Sequence, residues 1–128
     1  MKTIFKFVPL MAVLLAIGCV SSYQPRTRHT GFGETQVAPD TYRIDFVGEV
    51  QTPQLQVQDF CSLRTAEVTI QNGFAYFVEL ERRDMPNVAG NFPQTQILIK
   101  CFKAKPGAGN VMDAAFLQQS IRTKYKLK

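Results

Sequence analysis

His29 is the only histidine in the chain, and histidine is the one side chain whose ordinary pKa suits proton transfer near neutrality. It sits between Arg28 and Thr30 in a polar stretch with prolines and glycines, where holding a catalytic group to within about 0.5 Å is not expected, so it reads as a linker residue. Glu79 and Glu81 fall on one side of an expected strand and could flank a scissile bond as paired carboxylates do, although such pairs are common on solvated sheet faces. Arg64 and Glu67, three apart on an expected helix, have the spacing of an ion pair; a structural clamp is the simpler reading and a buried binding pair the sharper one. Gly31-Phe32-Gly33 lacks the preceding strand and following helix that a phosphate loop requires. No spacing of cysteine, histidine and aspartate suggests zinc. With no nucleophile beside a base and no ligand cluster, neither an enzyme, a cofactor nor a metal is expected.

The residue with the clearest chemistry is Cys19, and its context is the amino terminus. Lys2 and Lys6 precede an uncharged run of eleven residues from Phe7 to Ile17, the charged-then-apolar order of an export signal. As a helix that run spans about 16 Å, roughly half of the hydrocarbon core of a bilayer, so a membrane span is not expected. It closes on Leu15-Ala16-Ile17-Gly18-Cys19, which resembles the lipobox of bacterial lipoproteins; Ala16 stands where that motif most often has leucine. The resemblance implies cleavage between Gly18 and Cys19 and acylation of the Cys19 thiol. Anchoring through several acyl chains would be effectively permanent. Val20 stands where, by the same resemblance, an aspartate would retain the protein in the inner membrane, so the expected address is the outer membrane with the domain facing the periplasm. The plainer reading is an ordinary secretory signal cut near Gly18 or Ser21.

Once Cys19 carries lipid, Cys61 and Cys101 remain as an even pair in an oxidising compartment. A bridge across their roughly forty-residue loop would stabilise the fold by about 4 kcal/mol in the chain-entropy picture; two separately buried thiols are the alternative. Behind Gly18 lie 110 residues, enough for one domain. The full chain carries +5, and without Lys2 and Lys6 the remainder holds 13 basic and 10 acidic residues, a net +3. An exported chain of this balance meets lipid head groups and cell-wall polymers, and no nucleic-acid partner is expected.

The elements that must position these residues follow from pattern. Residues 19–40 are polar and aperiodic and read as a tether and lead-in, leaving 41–128 as the domain. Tyr42, Ile44 and Phe46 alternate along a strand. Thr52-Pro53 opens a long helix that Gly73 closes, with Val57, Phe60, Cys61 and Val68 on one face and Leu63 and Ile70 on its flank. Phe74 to Leu80 is a second strand, with Phe74, Tyr76 and Val78 inward, and Thr95 to Lys103 a third, with Ile97, Ile99 and Cys101 inward. A closing helix is expected from about Val111 to Thr123, capped by Asn110, with Met112, Ala115 and Phe116 on one line. The order strand, helix, strand, strand, helix predicts an α/β (α+β) two-layer sandwich: a small mixed three-stranded sheet with a parallel crossover and both helices on one face.

On that register Val47, Phe77, Leu98 and Phe102 fall on the open sheet face, a candidate interaction surface for an envelope protein partner. A loop or the tail folding over it is the alternative. Arg122-Thr123-Lys124-Tyr125-Lys126-Leu127-Lys128 carries four cations that could meet anionic lipid or glycan, or simply suit a helix C-terminus. The segments Gly31 to Ile44, Asp59 to Glu67 and Asn72 to Val78 are similar to a family of small bacterial envelope lipoproteins without an established activity. The expected function is a lipid-anchored envelope protein with a structural or protein-interaction role; the alternative is a periplasmic binding module for a peptide or small apolar ligand.

Overall fold

The computed structural model describes residues 22–88 and 90–128; the expected signal peptide, the Gly18 to Cys19 junction and the lipid site lie outside the described residues. Tyr42, Ile44 and Phe46 alternate as expected and are buried in strand β2, Thr41–Val47. Its antiparallel neighbour is β1, Gly31–Ala38, in a register running from Gly31 opposite Val47 to Ala38 opposite Thr41. The expected tether over 19–40 is thereby corrected, because eight of its residues, Gly31–Ala38, form an edge strand. Glu34 to Val37 are exposed, so β1 shows no apolar alternation and is held by its ladder to β2. The chain before it is tied down too: the Arg26 amide donates to the Phe32 carbonyl and the Phe32 amide to the Gln24 carbonyl, each at 2.9 Å. Gly31 permits this crossing, since its φ is +119° and a Cβ there would lie 2.6 Å from the Gln24 carbonyl oxygen.

Helix α1, Gln54–Gln71, follows with Pro53 at its N-cap, one residue later than Thr52. Val57, Phe60, Cys61, Leu63, Ala66 and Val68 are buried, whereas Ile70 is exposed. The helix stops as the glycine predicted. The Phe74 amide donates to the Thr69 carbonyl and the Gly73 amide to the Ile70 carbonyl, both at 3.0 Å, with Gly73 at φ +85°. That pair of bonds is the Schellman arrangement.

Strands β3, Tyr76–Met85, β4, Gln94–Phe102, and β5, Val111–Asp113, complete an antiparallel sheet of five strands in the order β1-β2-β4-β3-β5. The three-stranded mixed sheet is corrected. β2 and β3 do run parallel across α1, but β4 lies between them and pairs antiparallel with both. Sequence order gave no signal for that insertion, since a hairpin partner can pair on either side of β3.

Helix α2, Ala114–Lys124, begins later than expected because Val111–Asp113 pairs with β3. Asp113, not Asn110, is the cap, accepting from the Phe116 amide at 3.1 Å. Moving the start turns Ala114, Leu117 and Ile121 toward the core and leaves Phe116 73% exposed. α2 ends in a second Schellman turn: the Leu127 amide donates to the Arg122 carbonyl at 2.8 Å and the Lys126 amide to the Thr123 carbonyl at 3.3 Å. Lys126 occupies the left-handed position at φ 54°, which disfavours a side chain with a Cβ. Lys126→Gly is therefore expected to raise stability by about 0.5 kcal/mol, the relieved strain outweighing the extra freedom of the unfolded glycine. An unchanged or lower urea midpoint would show that the turn is not left-handed in solution.

Candidate functional site

The sheet has one face under the helices and one open face, and β3 decides what the open face contains. Phe77 pairs with Cys101 and Met112 and is 1% exposed, so it belongs to the core beneath the helices. Its assignment to an interaction face is corrected, and Tyr76 and Val78 take the open side instead. Val47, Leu98 and Phe102 do lie on the open face, each partly exposed.

Charged side chains surround them. Arg43 and Glu81 flank Leu98 from the two neighbouring strands, and Asp45 and Arg83 flank Gln96 in the next row. Arg43, Glu81, Arg83, Gln96 and Leu98 line a shallow groove of about 470 Å³. Asp45 pairs with Arg26 at 2.6 Å; among the described residues neither Arg43 nor Arg83 has an ion-pair partner. Lys100 stands 5.7 Å from the Phe102 ring centroid, within cation–π range. The surface can hold a polar chain through its free guanidiniums and Glu81 and cover one small apolar group at Leu98.

The candidate catalytic residues are not brought together. A register shift at Leu80 sets Glu79 opposite Ile99 and Glu81 opposite Leu98, on opposite faces of the sheet. The pair expected on one side is thus separated, and Glu79 instead receives Arg82 at 3.0 Å, which also reaches Asp84 at 3.2 Å. His29 is exposed and stacked on Phe92, centroids 5.8 Å apart. Among the described residues no group of three or more histidine, cysteine, aspartate or glutamate side chains could hold a metal ion.

The expected disulfide is also corrected. Cys61 and Cys101 are free, buried thiols. The Cys61 thiol donates to the Thr95 carbonyl at 3.4 Å, whereas the Cys101 sulfur lies 3.6 Å from the Thr69 hydroxyl. Thr69 is eight residues along α1 from Cys61, an offset of about 12 Å, and a bridge needs Cα atoms within about 7 Å. Both residues face the core, as expected, but at different heights. Burial pushes both thiols up, away from the thiolate that nucleophilic chemistry needs.

A second cluster lies on the helix side and was only half legible. Glu67 is 8% exposed. It accepts from Arg122 at 2.6 Å and from the Tyr23 hydroxyl, with Arg64 at 3.8 Å. The expected Arg64 and Glu67 pair therefore forms, yet Arg64 bonds more closely to Glu34 and lies 4.3 Å over the Phe32 ring. Tyr23 was hidden in the polar lead-in, where a lone aromatic has no period to reveal it. Its ring packs on Phe32 at 5.0 Å and Phe60 at 5.3 Å, and Phe60 meets Tyr125 at 5.0 Å. Asp59 then accepts from Tyr125 at 2.6 Å and Lys124 at 2.7 Å. The cluster can lock the lead-in and α2 onto α1.

No helix among the described residues is long and apolar enough to cross a membrane. Compared with known protein families, with curated proteins and with solved structures, the chain matches none.

Proposed function

We propose that the protein is a lipid-anchored bacterial envelope lipoprotein, held in the outer membrane through Cys19, whose single domain has a structural or protein-interaction role and no catalytic one. The observation that carries this reading is the order of Lys2 and Lys6, the apolar run from Phe7 to Ile17, and Gly18-Cys19. It is supported by Tyr23, which already packs against the core, so a chain cut at Cys19 would keep every described residue of the domain. The similarity to small envelope lipoproteins rests on the three quoted segments alone. For the interaction role, the support is the open sheet face with Arg43 and Arg83, which have no ion-pair partner among the described residues. The binding-module alternative draws on the same groove, whose charged lining suits a peptide and not a small apolar ligand.

Intact-mass measurement of the detergent-extracted protein tests the anchor. The expected species begins at Cys19 and carries acyl chains, and Cys19→Ala abolishes the acyl addition and either releases the domain or stalls processing. A mature form with a different amino terminus, or with no acyl mass, overturns the reading.

A further inference from the structure

We propose that the C-terminal turn of α2 and the surface where Tyr23 enters the core form one basic face that lies against anionic lipid head groups. This rests on the Cys19 anchor. Tyr23 is four residues on from Cys19, and four extended Cα-to-Cα steps reach at most about 14 Å. The packed side chain of Tyr23 therefore leaves no long tether: an acylated Cys19 would hold the domain against the bilayer, with the surface around Tyr23 toward it.

That surface is basic. The Glu67 carboxylate joins Tyr23 to Arg122, and the Phe60 ring joins Tyr23 to Tyr125, so the last turn of α2 is the neighbour of the point where the anchored segment arrives. Arg64, Arg122 and Lys124 are matched there by Glu34, Glu67 and Asp59. Lys126 and Lys128 have no side-chain carboxylate partner among the described residues, which adds two unmatched cationic side chains to the face. The Schellman turn presents them: Leu127 is packed against the core, Arg122 donates to a backbone oxygen of Lys128, and the two lysines on either side of Leu127 are exposed. One lipid signal combined with a polybasic patch is a recognised route to firm surface attachment, and a cation close to an anionic surface strengthens binding about fivefold.

The test uses the mature chain, residues 19–128, with Cys19→Ala, so that neither lipid nor the signal segment masks the contact, in sedimentation with phosphatidylcholine vesicles with and without about one-third phosphatidylglycerol at low ionic strength. Binding should require the anionic lipid, and Lys126→Gln with Lys128→Gln should weaken it about 25-fold, two factors of five. Raising the salt to about 0.5 M should remove it, because charges more than a few ångströms apart are then screened. Arg43→Gln with Arg83→Gln, on the open sheet face, should leave it nearly unchanged. Equal partition onto both kinds of vesicle, an equal loss from the sheet-face pair, or retention on purified peptidoglycan with none on lipid would overturn the proposal. Failure here with intact acylation of Cys19 sinks the basic face alone, whereas absence of acylation sinks the anchor on which it rests.

Discussion

Phe77→Ala is expected to lower the free energy of unfolding by about 3 to 5 kcal/mol, the cost of removing a fully buried aromatic ring and leaving a cavity. Phe77 stands near the start of β3, between β4 and β5, with Cys101 on one side and Met112 on the other, and water reaches 1% of it. A domain of this size has some 5 to 15 kcal/mol in total, so the variant should unfold at a markedly lower urea concentration with an unchanged slope. Phe102→Ala should cost only about 1 kcal/mol, since that ring is partly exposed on the open face. Comparable midpoints for the two variants would mean that β3 has the opposite phase and that Phe77 does face outward.

The phase of β3 shows where sequence reading loses force. In β2 the buried positions alternate with polar ones, Tyr42, Ile44 and Phe46 against Arg43 and Asp45, so a single phase satisfies the pattern. From Phe74 to Val78 all five residues are hydrophobic, and either phase puts at least one large aromatic side chain inside. Phe74 tipped the choice wrongly, because its burial comes from the turn that ends α1 and not from the strand. The glycine that ends α1 was legible because its left-handed geometry has a residue preference; the bulge at Leu80 was not, because nothing local demands it. The edge strand β1 and the three-residue β5 draw their stability from ladders to strands already in place, and a ladder leaves no trace in side-chain type.

The candidate sites divide along the same line. Arg64 and Glu67 were found because three-residue spacing on a helix is a local rule. Tyr23 is 44 residues from Glu67, and Arg122 is 55. Only the packing of α2 and the lead-in against α1 brings these together. The cysteines failed for a metric reason: facing the same core is necessary for a bridge, but two turns of helix separate the thiols.

Glu67→Ala is expected to cost about 3 kcal/mol at neutral pH, the low end of the range for removing one partner of a buried charge pair. Its side chain is 10% exposed, and those of Arg64 and Arg122 are 12% and 27%. The loss would leave two guanidiniums close together with only Glu34 to answer them, and water reaching Arg122 keeps the cost from the top of the range. Tyr23→Phe should cost less, about 1.5 kcal/mol, because the ring still packs on Phe32 and Phe60 and only a hydrogen bond to a charged group is lost. Burial pushes the Glu67 carboxyl above its ordinary 4.5, while the hydrogen bond and charge of Arg122 pull against that rise. The folded state therefore binds this proton more tightly than the unfolded chain does. It follows that the contribution of Glu67 is most favourable below pH 4.5 and diminishes as the pH climbs through the raised value. Glu67→Gln keeps an acceptor and cannot ionise, so the difference in unfolding free energy between the natural protein and this variant should shift in favour of the variant as pH rises from 4 to 7. A difference that instead grows in favour of the natural protein over that range would mean that the donors around Glu67 outweigh its burial, and that the cluster is a net attraction for the charged carboxylate.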